Sequence, residues 1–263
     1  DGISHWLQGN PRKKLKPEIE LPPQIIHCRI DNDICTISID SSGAPLYKRN
    51  DRHLAGIAPI RENIASCLYL KLAMELENHD ISPSTLIDPM CGSGTLLSEA
   101  KNFWHLNNLR NFSYEFFPIC KPLADKTDID KPCSDNFIKN FLGIEKNKSL
   151  KESHQQSYGE DIDFIYQNFL ELNEIDSMQK AFIINPPYGK RIKIPGSSQK
   201  FFQEIIDHFR QSYSSSPLSL IVPNNITLNY PTGFISKTPF SNGGIDVTFV
   251  IFIPKKNEPV PSH

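Results

Sequence analysis

Thr85-Leu86-Ile87-Asp88-Pro89-Met90-Cys91-Gly92-Ser93-Gly94-Thr95-Leu96-Leu97 is the stretch on which the fold turns. A short apolar strand ends in an acid, a glycine-containing turn follows, and helical spacing begins at Leu96. Glycines let the backbone approach a ligand where a Cβ would clash. The helix start behind them leaves orphan N–H groups aimed at the same place. The dinucleotide pattern G-x-G-x-x-G is not completed, because Leu97 holds the third glycine position, and no P-loop Lys-Ser/Thr follows. Asp88 before the turn would repel a pyrophosphate but suits a cationic amino-acid group.

Downstream, the apolar run Ala181-Phe182-Ile183-Ile184 leads into Asn185-Pro186-Pro187-Tyr188-Gly189. The run reads as a buried strand, and the two prolines end it because neither has an N–H for the ladder. The Asn185 side chain and the carbonyl of Pro186 can then accept hydrogen bonds from an exocyclic amine, and Tyr188 offers a flat ring for a planar base. That arrangement suits alkylation of an NH2 group.

Taken in this order, the two motifs resemble the class I S-adenosylmethionine-dependent methyltransferases. Asp-Pro-Met-Cys-Gly-Ser-Gly-Thr-Leu-Leu is most similar to the THUMP-associated RNA guanine-N2 methyltransferases, in particular the N-terminal half of the bacterial 23S rRNA enzymes. Further matching pieces are Ile37 to Gly43 with Leu46-Tyr47-Lys48-Arg49, Ala55 to Glu62, and Asn242-Gly243-Gly244-Ile245. The resemblance implies S-adenosylmethionine held by Asp88, Pro89, Cys91, Gly92, Ser93, Gly94 and Thr95, with Pro59 beside them. It implies Glu145 on the ribose hydroxyls and Asn168 at the adenine amine, where the family usually carries Asp. Asn185, Pro186, Pro187 and Tyr188 become the catalytic set. The family's Lys/Arg-Gly-Tyr-Arg stands here as Arg49-Asn50-Asp51-Arg52, a second departure. The implied reaction is methyl transfer to an exocyclic amine of RNA, guanine N2 of 23S rRNA above all. Methylation of DNA adenine N6 or of a protein glutamine is the alternative among enzymes. A degenerate, non-catalytic RNA-binding module is the alternative outside them.

Around the motifs the chain reads as strands alternating with helices, which indicates an α/β domain with a mostly parallel sheet; the resemblance implies a Rossmann-like, seven-stranded one. Helical spacing runs from Pro59 to about Glu77, with Ile60, Ile64, Cys67, Leu68 and Leu72 on one face. Strands are expected at 85–88, 141–145, 164–166, 181–184, 218–222 and 246–253, and helices at 96–103, 149–154 and 199–211. Ile25 to Ile30 and Ile34 to Ile39 flank Asp31-Asn32-Asp33 and predict a hairpin, by resemblance the remnant of a THUMP domain. The expected domains are an N-terminal arm and hairpin over 1–54 and a methyltransferase domain over 55–256. Residues 104–138 read as an irregular insert.

Composition is that of a globular protein, 38% hydrophobic and 22% charged. The net charge of −2 excludes a globally basic nucleic-acid binder but leaves room for local patches. Lys48, Arg49 and Arg52, and Lys190, Arg191 and Lys193, are the expected RNA contacts; Arg12, Lys13, Lys14 and Lys16 form a third basic run. The 6 cysteines show no metal-ligand spacing, so no metal is expected, and they read as buried free thiols of a cytoplasmic protein. No apolar run approaches the roughly 20 residues that span a bilayer, so no membrane contact is expected.

Overall fold

A computed structural model describes residues 25–42, 60–103, 113–117, 138–175, 179–188 and 197–255. Pro59, the basic residues Lys48, Arg49, Arg52, Lys190, Arg191 and Lys193, the N-terminal basic run and most of the 104–138 insert lie outside the described residues. The chain divides into two compact units, one of Asp1–Pro45 with Asn108–Ile129, the other of Leu46–Asn107 with Asp130–His263.

The first unit carries the expected hairpin, β1 (Ile26–Asp31) against β2 (Ile34–Ile39). Asn32 and Asp33 form its two-residue turn with φ of 49° and 60°, the backbone that a tight hairpin needs and that Asn and Asp tolerate. Strand alternation puts Ile26, Cys28 and Ile30 on one face opposite Ile39, Ile37 and Cys35. The Cys28 and Cys35 sulfurs lie 3.3 Å apart. Ser41 accepts from the Tyr114 N–H at 3.0 Å, tying the single turn Ser113–Phe116 to the hairpin's end.

The second unit is the α/β domain. Its elements are α1 (Glu62–Asn78), β3 (Thr85–Asp88), α2 (Thr95–Asn102), β4 (Asn140–Ile144), α3 (Lys151–Tyr158), β5 (Asp163–Ile165), β6 (Lys180–Ile184), α4 (Ser198–Ser212), β7 (Leu218–Pro223), β8 (Gly233–Asn242) and β9 (Ile245–Pro254). The 7-stranded sheet has the order β5-β4-β3-β6-β7-β9-β8. Pairings from β5 to β7 are parallel, and β9 joins antiparallel to β7 and β8. The expected mostly parallel, seven-stranded fold is therefore present. The chain's path across the sheet reverses between β3 and β6, and ligands in such sheets sit beyond the carboxyl ends at that switch.

Both faces of the sheet are covered, which is why β3 and β7 are continuous buried runs. On one face Leu86, Ala181, Ile183, Ile221, Phe249 and Ile251 meet α1 and α2 through Leu68, Tyr69, Leu72, Leu76 and Leu97. On the other Ile87, Phe182, Ile184, Leu220 and Phe252 meet α4 through Phe202, Ile205, Ile206 and Phe209. Ser66 of α1 donates to the buried Glu99 of α2 at 2.7 Å, a polar clasp inside an otherwise apolar contact.

Two expectations change. The buried stripe of α1 runs through Ala65, Leu68, Tyr69, Leu72 and Leu76, so Cys67 falls beside it and is exposed. Cys28 and Cys35 are exposed too, and Cys91 alone of the described cysteines is buried. The strand β8 carries no expectation from the sequence, because Lys237 and Pro239 interrupt its apolar pattern. It is the outer strand of the sheet, where a proline's missing N–H can face away from the ladder.

Candidate active site

The residues named from the sequence gather at the carboxyl ends of β3, β4, β5 and β6. Asp88 ends β3 and is 1% exposed. It accepts from the Met90 N–H at 3.1 Å. Burial pushes its carboxyl up to about 8, with the Glu145 carboxylate adding to the rise against the pull of the Met90 N–H. The turn after it is built by backbone bonds, Cys91 N–H to Ile144 and Gly94 N–H to Cys91, at 3.1 and 2.8 Å. The Cys91 thiol is held well above its ordinary range, first by burial and then by Asp88 and Glu145, so it packs as a neutral side chain.

Gly92 and Gly94 take φ of 52° and 76°, left-handed backbone that disfavours any side chain. Their surroundings differ. A Cβ on Gly94 would lie 3.0 Å from the Tyr158 ring, whereas one on Gly92 meets nothing within 4 Å among the described residues. Gly94 is thus needed for packing inside the protein, and Gly92 faces open space. Glu145, just past β4, accepts from the Gly92 N–H at 3.0 Å through Oε2 and from the Asn147 N–H at 2.8 Å through Oε1. Each carboxylate oxygen has a second lone pair, so two further donors can be accepted.

Helix α3 braces this turn from below. His154 Nε2 meets the Gly92 carbonyl at 2.7 Å and Nδ1 meets the Tyr166 hydroxyl at 2.9 Å. A carbonyl can only accept, so Nε2 carries the proton and Nδ1 accepts from Tyr166. Burial lowers the His154 value, consistent with a neutral ring, and that ring stacks on Phe164 at 4.1 Å between centroids. Tyr158 donates to the Ser93 carbonyl at 2.6 Å, and the Ser93 and Thr95 hydroxyls lie 3.0 Å apart. Asn168, past β5, caps a single turn: it accepts from the Leu170 N–H at 3.3 Å and donates to Glu171 at 3.0 Å.

The edge of β6 is built differently. Asn185 follows the buried Ile184, and its Oδ1 is buried without a hydrogen-bond partner among the described residues. Pro186 and Pro187 follow it, and neither can supply an N–H. Tyr188 is half-buried and packs against both core clusters. Its hydroxyl accepts from Asn242 Nδ2 at 2.5 Å. An unpaired buried amide oxygen costs on the order of 1–3 kcal/mol, so such a group in a native fold calls for an explanation, a catalytic role or a bound water among them.

The structure thus gathers Asp88, Pro89, Cys91, Gly92, Ser93, Gly94, Thr95 and Glu145 around one turn, and sets Asn185, Pro186, Pro187 and Tyr188 on the neighbouring strand end. Reading the sequence missed the supporting roles of His154, Tyr158 and Asn242. The first two stand four apart on one helix, a spacing that puts both on the same face and could have marked them. Among the described residues no group of His, Cys, Asp or Glu could hold a metal, and no helix is long and apolar enough to cross a membrane.

Known proteins resemble this chain in sequence. A Synechocystis sp. protein provisionally named an RNA methyltransferase is 27% identical over 259 residues, which cover 91% of this chain and 64% of its own length. The ribosomal RNA large subunit methyltransferase K/L of Legionella pneumophila is 30% identical over 231 residues, 78% of this chain and 30% of its own. The chain therefore spans between 30% and 64% of the length of these relatives. A solved human structure, methyltransferase 10 domain containing protein, aligns over 78% of this chain and 90% of its own at 13% identity, with a TM-score of 0.45. The family described as UPF0020: RMKL-like, methyltransferase domain, matches residues 49–237, well over half of the 263 residues, and to that family this chain belongs.

Proposed function

We propose that this chain transfers a methyl group from S-adenosylmethionine to an exocyclic amine of an RNA base, with guanine N2 of large-subunit 23S rRNA as the target. The observation that carries the reading is the buried, unpartnered Oδ1 of Asn185 at the end of β6. An amine N–H is the donor it lacks. The names of the Legionella and Synechocystis relatives support RNA as the substrate.

The residues fit the cofactor. Gly92 faces open space, Asp88 is a buried carboxyl suited to an ammonium, and both Glu145 oxygens retain capacity for ribose hydroxyls. Pro89, Cys91, Ser93, Gly94 and Thr95 would shape the same wall, Pro59 would lie beside it, and Asn168 would face the adenine amine. The bound cofactor supplies an activated methyl sulfonium. Asn185 Oδ1 and the Pro186 carbonyl would accept the two amine N–H bonds and turn the nitrogen lone pair toward the methyl carbon. The amine nitrogen would give up one proton to solvent on accepting the methyl group. Positioning and fixed dipoles supply the rate. The base must leave its stack to enter, and Tyr188 offers a replacement face.

Lys48, Arg49, Arg52, Lys190, Arg191 and Lys193 are assigned to the RNA backbone on their sequence positions, the hairpin to the end of a THUMP domain, and the catalytic domain to 55–256 after an arm and hairpin over 1–54. The site of action is the cytoplasm. Incubation with methyl-labelled cofactor and total cellular RNA, DNA and protein tests the reading. Label should enter large-subunit rRNA; label in DNA or protein with none in RNA overturns it.

A further inference from the structure

Asn242-Gly243-Gly244-Ile245 matches the family in sequence but has no role assigned so far, and it stands 54 residues from Tyr188. Its place in the fold explains it. Asn242 ends β8 and pairs with Ile245 at the start of β9, so Gly243 and Gly244 form the hairpin tip, with φ of 61° and 81°. Because β9 runs antiparallel to β7, this tip lies at the carboxyl end of β7, the same sheet edge as Asn185. Two bonds fasten it there: the Asn224 N–H to the Asp246 carbonyl at 3.1 Å, and the Thr248 hydroxyl to Asn224 Oδ1 at 2.8 Å. From this anchored tip Asn242 Nδ2 donates to the Tyr188 hydroxyl.

We infer that Asn242 is a positioning residue for methyl transfer: it holds the axis of the Tyr188 ring against which the substrate base lies. A tyrosine hydroxyl sits on the long axis of its ring. A bond to it therefore fixes where that axis points, while packing on the flanks sets the ring plane. Tyr188 has that packing, since it touches the apolar clusters on both sheet faces. Asn242 touches neither Asn185 nor the glycine turn in any hydrogen bond of the described residues. Its effect should pass through Tyr188 alone, and it should act on turnover and not on the cofactor.

The inference rests on the proposed stacking role of Tyr188, so its test has two arms. In the first, the full chain methylates an unmodified transcript of large-subunit rRNA at saturating cofactor. Asn242→Ala should lower kcat about tenfold, the scale of one lost hydrogen bond, and leave S-adenosylhomocysteine affinity within about twofold. Tyr188→Phe, which keeps the ring and removes the hydroxyl, should match it. The double variant should be no worse than either single, because both remove the same bond. Asn242→Ser, too short to reach, repeats the test should the alanine variant fold poorly. Unchanged kcat in Asn242→Ala, or losses that multiply in the double variant, overturn the inference. In the second arm, fluorotyrosine is incorporated and the Tyr188 fluorine signal is identified by its loss in Tyr188→Phe. Asn242→Ala should move that signal, and an unmoved signal overturns the inference even where the wild-type chain methylates no RNA. Absence of wild-type transfer strikes the proposed function alone.

Discussion

The two halves of the site are finished to different degrees. Around the glycine turn, backbone groups are tied off: the Gly92 N–H by Glu145, the Gly92 carbonyl by His154, the Ser93 carbonyl by Tyr158. At the end of β6, by contrast, Asn185 keeps a buried acceptor without a partner among the described residues, and one bond from a distant hairpin tip reaches Tyr188. The first half is a preorganised wall, complete within the protein. The second is an open valence. Binding and turnover should therefore separate along this line: damage to the wall should show in cofactor affinity, and damage at the β6 edge in kcat.

Gly92→Leu tests the wall most severely. The new side chain points into open space, so the fold should lose only the cost of left-handed backbone, about 1–2 kcal/mol. Cofactor affinity should fall more than about a hundredfold, since the side chain occupies the ligand's space. Calorimetric titration with S-adenosylhomocysteine reads this directly; near-normal affinity would place the cofactor elsewhere. Asn185→Ala makes the opposite cut. Turnover should drop on the order of a hundredfold, as when a preorganised polar group at a reacting centre is removed. Cofactor affinity should hold. Parallel loss of both would make Asn185 structural and erase the contrast between the halves.

Asp88 sharpens the comparison through pH. Its folded value, about 8, stands above the ordinary 3.8. Between those values the folded protein holds a proton that the unfolded chain releases, so stability from this site is full below about 4 and declines as pH rises toward 8. Asp88→Asn mimics the protonated form. The variant should therefore gain on the wild type between pH 5 and 8, by roughly 1.4 kcal/mol for each pH unit. In the wild type an incoming ammonium should displace the proton, so cofactor affinity should rise with pH up to about 8 and level off beyond. Thermal melts and titrations across that range check both, and parallel pH curves for the two proteins would show Asp88 ionised throughout.

What could be read from the chain follows the range of the forces involved. Asp88, Gly92, Glu145 and Asn185 were readable because each stands at a strand end, and strand ends are marked by local chemistry: an acid, a glycine, a proline pair. The β6 strand announces itself by the unbroken apolar run Ala181 to Ile184. The Asn242–Tyr188 contact spans 54 residues and depends on β9 running antiparallel, which no local pattern encodes. His154 looked like any helix residue until packing set it under Gly92. β8 hid behind Pro239 because only its place at the sheet edge makes a proline acceptable there. Cys67 was misplaced since spacings of three and four fit more than one stripe on α1, and the larger Tyr69 and Leu76 decide which one is buried.

Tyr158→Phe gives the smallest and most selective effect. The hydroxyl donates to the Ser93 carbonyl at 2.6 Å, while the ring separately fills the space against Gly94. Phenylalanine keeps the ring contact and leaves the carbonyl to find water. The cost to stability should be about 1 kcal/mol, the net worth of one hydrogen bond. The turn between Gly92 and Thr95 should loosen without losing its shape, because the Gly94 N–H remains bound to the Cys91 carbonyl and the Gly92 carbonyl to His154. Affinity for S-adenosylhomocysteine should then weaken by roughly threefold to tenfold, with kcat at saturating cofactor unchanged. A variant that instead loses kcat at full cofactor affinity would mean that the brace under the glycine turn also sets the geometry of the β6 edge. The two halves would then be one mechanical unit rather than two separable ones.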